Sequence, residues 1–407
     1  KMQDHSGHRF IFLDRPLQPG DSLELNFSFS YTWPGYKKNP SSNTIVQNGS
    51  FIRISNYYPV LGYQYDREIS DPQERKKRNL PPPRPLPAAN DSSSGLQAEQ
   101  FIKFSSIIST SASQTAIGVG ELAASWKSSG RNYFQYKTKD PIPFRFAVSS
   151  AELAVKQTNH RGYLLEAWYH PEHHANIDHL LENARLSLDY CESNFGKYPF
   201  RSLRLVEVSS FAEGPAGTAY PNTIFNSEAF GFRNQINNDP ERDILTEMVA
   251  HEISHNWWGN TQIAPHWGEG SKLLTETLAM YTELMIYKKM YGPEALPKRV
   301  SIHEDIYLAA RSMDEEEALY KAHPDKAWIF YNKGMVAMYR LYLMLGEEKI
   351  NQALRLLLLK HSWPQSPPTS LDLLESLYEV SDPVYHARID GLLKSARLPL
   401  PDPPSGL

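Results

Sequence analysis

A chain of 407 residues with 41% hydrophobic residues, 22% charged residues and a net charge of -4 has the make-up of an ordinary soluble globular protein with room for two or three domains. Its one cysteine, Cys191, excludes internal disulfides, and no run of about 18 apolar residues is present to span a membrane. Basic residues form no block beyond Arg75-Lys76-Lys77-Arg78 in a Pro-rich stretch, so nothing calls for a nucleic-acid partner.

Residues 1–160 read as an amino-terminal β-rich domain. The stretch 23–31 (Leu23, Leu25, Phe27, Phe29 and Tyr31 alternating with polar residues) has the period of a half-buried strand, and Phe51 to Ile54, Phe101 to Ile108 and Tyr133 to Tyr136 continue the pattern. Between them, the Pro/Ser-rich residues 72–95, with Pro81-Pro82-Pro83, predict a long exposed loop. The character changes at about 161, where a second domain is expected to run to 400. Tyr163 to His170 reads as a strand. His173 and His174 follow in a polar turn, where solvation or capping explains them. A helix over Ile177 to Phe195 presents Ile177, Leu180, Leu181, Ala184, Leu188, Cys191 and Phe195 on one apolar face, so Cys191 is a packing residue. Leu203 to Val208 is a further strand.

The chemistry begins at His251-Glu252-Ile253-Ser254-His255. Ile244, Leu245, Met248 and Val249 approach it at helical spacing, and on a helix residues i and i+4 share a face, so both imidazoles reach one metal ion. Glu252, beside the first ligand, is placed to take a proton from water at that metal. A catalytic zinc site wants a third protein ligand and one open position. The next helical run, from about Ser271 to Met290, supplies Glu276; Glu269, Glu283 and His266 compete with it. Helical face and distance put Glu276 first, and spacing alone leaves Glu283 open. Trp257 and Trp258, directly after the second histidine, read as packing residues.

The stretch from His251 through Asn256-Trp257-Trp258-Gly259-Asn260 resembles the zinc motif of the M1 metallopeptidases, the family of aminopeptidase N and leukotriene A4 hydrolase. Thr275-Glu276-Thr277-Leu278-Ala279-Met280-Tyr281 is similar to that family's Asn-Glu-Gly-Phe-Ala-x-Tyr stretch, which implies Glu276 as the third ligand. Twenty residues, 256 to 275, intervene, two more than the family's usual spacing. Tyr331-Asn332-Lys333-Gly334 matches its Tyr-Glu-Lys-Gly pattern, which implies the Tyr331 phenol as oxyanion donor. Leu17-Gln18-Pro19-Gly20-Asp21-Ser22 looks like a turn of the family's amino-terminal β domain. One segment departs from the pattern. Aligning Gly217 with the glycine of the family's Gly-x-Met-Glu-Asn strand puts Tyr220 where the glutamate that binds a substrate's free amino group would stand, with Glu213 close by as a substitute.

The fold class this implies is α+β: an amino-terminal antiparallel β domain, then a thermolysin-like zinc peptidase domain with a mainly helical carboxy-terminal part. The implied function is zinc-dependent hydrolysis of peptide bonds, with an M1-type aminopeptidase on short peptides placed first. An endopeptidase, or a non-catalytic peptide-binding domain of a transporter, is the alternative that the Tyr220 exchange raises. Survival of both histidines, Glu252, Glu276 and Tyr331 favours the enzyme, and makes core packing an insufficient account of the histidines. Glu213, Gly217 and Tyr220 are the expected substrate contacts. The stretch from Gly270 to Ala279 also resembles M1-like domains attached to bacterial ABC-2-type transporter permeases, which implies a membrane-anchored parent. Both ends are expected to be cut, with residues 401–407 reading as linker.

Overall fold

The computed structural model describes residues 2–5, 8–33, 35, 44–46, 49–59, 68–69, 71–83, 85–91, 100–213, 217–234, 236, 243–259 and 261–399. The tail 401–407 lies outside them. The chain divides into two compact units, Lys1–Gly35 and Tyr36–Leu407.

In the first unit, strands β1 (Met2–His5) and β2 (His8–Ile11) form an antiparallel hairpin in the register Met2↔Ile11 to His5↔His8. The Pro19-Gly20 turn is present, closed by the Asp21 N–H to the Gln18 carbonyl at 2.9 Å. Residues 23–31, however, form no strand, and Leu23, Phe27, Phe29 and Tyr31 are exposed. Alternation makes a segment fit to pair, but among the described residues no neighbouring strand supplies the ladder.

The second unit opens with antiparallel β-structure. Strands β3 (Ile45–Val46), β4 (Gly49–Arg53), β7 (Thr115–Gly118) and β11 (Ala147–Ala151) make a four-stranded sheet in the order β3-β4-β11-β7. Strands β5 (Phe101–Ile102) and β10 (Ile142–Pro143) pair with each other, and β6 (Ser105–Ser111), β8 (Glu121–Ser128) and β9 (Arg131–Lys137) form a meander in the order β6-β9-β8. The short helix α1 (Ile54–Tyr57) follows β4. The stretch expected to be a long exposed loop contains helix α2 (Pro72–Lys77): Asp71 caps it through the Glu74 N–H at 2.7 Å, and Pro72 sits in its first turn. Arg75 is buried there, donating to the Pro81 and Ile69 carbonyls and to Glu68.

A five-stranded sheet follows, β12 (Ala154–His160), β13 (Tyr163–Tyr169), β14 (Ser202–Val208), β15 (Gly217–Tyr220) and β16 (Thr223–Ser227), in the order β12-β13-β14-β16-β15. β13, β14 and β16 run parallel to one another, and β15 is the outermost strand on its side, antiparallel to β16. Every residue of β14 is buried because both faces of the sheet are covered. Leu203 and Leu205 join the core built on helix α3 (Ile177–Phe195), and Val206 and Val208 join a second core with Phe51, Ile117, Ile142 and Phe146. Helix α3 has the predicted bounds, with Cys191 fully buried in its apolar face. His173 differs from its expected role: its Nδ1 lies 2.5 Å from Glu207, a carboxylate buried near the end of β14, so it is a hydrogen-bond partner of an internal carboxylate.

The remainder is helical: α4 (Ser210–Glu213), α5 (Ile244–Ser254), α6 (Leu278–Tyr291), α7 (Leu296–Ala310), α8 (Gly334–Leu345), α9 (Glu347–His361), α10 (Ser370–Val380) and α11 (His386–Leu393). Trp257 and Trp258 are fully buried after α5, with their indole N–H groups donating to the Gly196 carbonyl (2.9 Å) and the Thr282 hydroxyl (3.0 Å). They pack the zinc-motif helix against α3 and α6, as read from the sequence.

Candidate metal centre and active site

Asp243 fixes the start of α5, accepting the Thr246 N–H at 3.0 Å while His179 and the Tyr291 hydroxyl hold its other oxygen. From that start, His251 and His255 fall on one face with ring centroids 4.8 Å apart. Glu276 reaches them from the next helix. Its Oε2 lies 3.4 Å from His251 Nε2 and 3.6 Å from His255 Nε2.

The outer nitrogens are spoken for. His255 Nδ1 is 2.8 Å from the Trp258 carbonyl, which only accepts, so the proton sits there and Nε2 presents its lone pair. His251 Nδ1 is 2.9 Å from Glu283 Oε2. Two imidazole Nε2 atoms and one carboxylate oxygen converge, each imidazole being oriented by an acceptor behind it. That donor set fits a zinc ion. Glu283, left open by spacing, stands behind His251 on the side away from Glu276. Burial opposes charge on His251, yet the Glu276 and Glu283 carboxylates hold its pKa well above the usual value; burial takes His255 down to about 4. His266 and Glu269 are absent from the cavity wall.

Glu252, next to His251 on α5, reaches β15. Burial first, and the neighbouring Glu276 charge with it, push its carboxyl up to about 7, while the His251 charge, then the Arg145 charge and the Ala219 N–H, oppose the rise. Gly217 permits this approach: a Cβ there would stand 2.6 Å from Asn226 Oδ1 and 3.2 Å from Glu252 Cγ. The Tyr331 hydroxyl donates to Glu276 Oε2 at 2.7 Å, and burial beside that carboxylate raises its pKa far enough to keep it a neutral donor.

Glu276 and Tyr331 share an unusual local structure. Each sits in a π turn, Leu273–Thr277 leading into α6 and Ile329–Lys333 leading into α8. The two turns are pinned together by the Thr277 hydroxyl donating to the Phe330 carbonyl at 2.6 Å. At Gly334 a Cβ would lie 2.7 Å from Thr277 Oγ1 and 2.8 Å from its Cγ2. We therefore expect Gly334→Ala to cost about 1–3 kcal/mol in chemical unfolding, the usual price of overpacking, with Thr277→Ser in the same chain recovering part of it. Lys333 is completely buried; its ammonium meets Glu316 at 3.1 Å and donates to the Glu317 carbonyl at 2.7 Å and to the Ala396 carbonyl. It ties the Tyr331 turn to the Glu316-Glu317 loop and to the segment after α11. Lys333→Met is expected to cost about 3–5 kcal/mol by leaving the Glu316 carboxylate without its cation, and a loss below about 1 kcal/mol in the same measurement would refute that role.

Gly217, His251, Glu252, His255, Glu276 and Tyr331 thus line one cavity of about 240 Å³. Tyr220, an expected substrate contact, does not line it. Its ring is buried against Phe225 (centroids 5.7 Å apart) under the Arg145 guanidinium, because alternate residues of a strand face opposite ways. The Glu213 side chain lies outside the described residues. Among the wall residues that sequence reading missed are Arg145, Trp267 and Lys272, which bring the large or charged side chains. Only Lys272 carried a signal, four residues before Glu276, and its Nζ lies 3.2 Å from Glu276 Oε1.

The sequence model described as the peptidase family M1 domain matches residues 179–395. Among curated relatives, endoplasmic reticulum aminopeptidase 2 of Bos taurus is 24% identical over 216 residues, covering 49% of this chain and 22% of that protein. Leucine aminopeptidase 2-1 of Meyerozyma guilliermondii is 26% identical over 241 residues (54% and 36%), and aminopeptidase N of Escherichia coli K12 is 21% identical over 271 (62% and 30%). The chain therefore spans well under half the length of each of these relatives. The crystal structure of an M1 zinc metallopeptidase from Deinococcus radiodurans superimposes with a TM-score of 0.59 at 15% identity, covering 76% of this chain and 67% of that one, a likeness of fold.

Proposed function

The chain belongs to peptidase family M1, and from that premise we propose that it is a zinc-dependent metallopeptidase acting on short peptides. The observation that carries the reading is the convergence of His251, His255 and Glu276 in a cavity that Glu252 and Tyr331 also line. Zinc held by those three residues supplies Lewis-acid polarisation of a carbonyl and a more acidic water. Glu252 takes the proton from the attacking water and returns it to the leaving nitrogen. The Tyr331 hydroxyl turns from Glu276 to the developing oxyanion, where a neutral donor in a water-poor site is worth most.

The curated relatives are named aminopeptidases, so release of amino-terminal residues is the first form of the activity proposed. Cleavage without need of a free amino terminus is a second reading, favoured by one observation. Among the described residues, the carboxylates on the cavity wall are Glu252 and Glu276, both assigned to chemistry. Mass spectrometry of a peptide pool, half free and half N-acetylated, incubated with zinc-loaded protein separates these readings. Stepwise loss of single residues from free peptides alone supports the first, and equal cleavage of both halves supports the second. Silence on both halves leaves a peptide-binding domain. A membrane-anchored parent carrying a permease is proposed from sequence resemblance alone; no helix of the described residues is long and apolar enough to cross a membrane.

A further inference from the structure

Arg145 enters the cavity from the β-domain, on the segment between β10 and β11. Its position is fixed from both sides. The Phe144 N–H donates to the Gln100 carbonyl at 2.8 Å, the Phe146 carbonyl accepts the Ile54 N–H at 3.1 Å, and both phenylalanine rings sit in an aromatic cluster with Tyr58. The guanidinium spends only Nε, which donates to the Ala219 carbonyl at 3.0 Å, and its plane rests over the Tyr220 ring at 5.1 Å. Among the described residues, no carboxylate pairs with it and its two terminal nitrogens have no acceptor. Ala219 also gives its N–H to Glu252, so a single residue of β15 stands between this cation and the proposed base. Lys272 adds a second cation to the wall.

The wall sets two cations against Glu252 and Glu276; Lys272 is paired with Glu276 at 3.2 Å, which leaves Arg145 as the cation with no carboxylate partner among the described residues. The Arg145 end of the wall is therefore the place in the cavity suited to an anion, and among organic anions in a peptide that is a carboxylate. A guanidinium with two free, parallel N–H groups on a rigid base is the side chain best matched to a carboxylate, because it can bind both oxygens at once.

We propose that Arg145 anchors a carboxylate of the substrate, which makes this a site for acidic peptides: the carboxylate is an Asp or Glu side chain near the scissile bond, or the free carboxy terminus of a very short peptide. The proposal rests on the peptidase reading for the identity of the ligand as a peptide. Binding tests it without turnover. Zinc-loaded Glu252→Gln protein, with and without Arg145→Met, is titrated calorimetrically with two matched sets of tetrapeptides, one exchanging Glu for Gln within the chain and one exchanging the terminal carboxylate for its amide. The expected result is about tenfold tighter binding of the acidic member of one set, lost in the Arg145→Met protein, the size of one charge-assisted pair near solvent. The set that shows the loss identifies the carboxylate. Equal binding within both sets overturns the proposal. So does a preference that survives Arg145→Met, since a residue that only braced Ala219 would weaken acidic and neutral peptides alike. Absence of turnover in the unmutated protein would sink the peptidase reading and leave this measurement standing.

Discussion

Glu252→Gln is expected to keep its zinc while kcat falls by on the order of 10²–10⁴, the contribution of a positioned general base. The replacement is nearly isosteric, and its amide oxygen still accepts the Ala219 N–H, so neither β15 nor α5 loses its contact. His251, His255 and Glu276 keep the partners that aim them, because none of those hydrogen bonds involves Glu252. What disappears is a group able to take a proton near neutral pH: burial and Glu276 lift the carboxyl to about 7, and a bound dication nearby pulls it down again. Zinc content by elemental analysis and kcat on a cleaved peptide check the two halves separately. Undiminished turnover with zinc retained would remove Glu252 from the chemistry.

The parts of this molecule that were legible beforehand are those where a local pattern and a tertiary role coincide. The apolar face of α3 gave its bounds because the same residues that repeat every three or four positions pack on the sheet. The His251–His255 pair was readable because α5 presents i and i+4 together. Glu276 needed the resemblance as well, since Glu283 lies on the same helix one face-repeat later, and only the structure separates an inner from an outer partner of His251. Residues 23–31 show the opposite case, a strand pattern with no partner strand among the described residues. In residues 72–77, proline content suggested a loop, although an aspartate before a proline is the ordinary start of a helix. Arg145 was out of reach. It meets Ala219 across 74 residues of sequence, and no spacing rule joins the turn between β10 and β11 to a strand beside the zinc-motif helix. The π turns were invisible for a different reason: an extra residue in one helical turn leaves the surrounding period almost unchanged.

Glu276 and Glu283, seven residues apart in one helical run, are expected to fail in different ways. Glu276→Ala removes a donor and leaves two imidazoles, so zinc is lost on dialysis and turnover goes with it, as it does when a chelator strips the unmutated protein. Glu283→Gln leaves all three donors in place. Its amide oxygen can still accept from His251 Nδ1, which preserves the tautomer and the ring orientation, but the charge that made Nε2 a stronger donor is gone. Affinity for zinc is then expected to weaken by about 10–100-fold, with activity recovered in excess zinc. Competition against a chromophoric chelator measures the first quantity and a zinc titration of kcat the second. The outcome that overturns the assignment is a reversal: irrecoverable loss in Glu283→Gln with mild loss in Glu276→Ala. That pattern would require His251 to turn over and bind through Nδ1, exchanging the inner and outer carboxylates, and it would free Tyr331 from its present acceptor on Glu276.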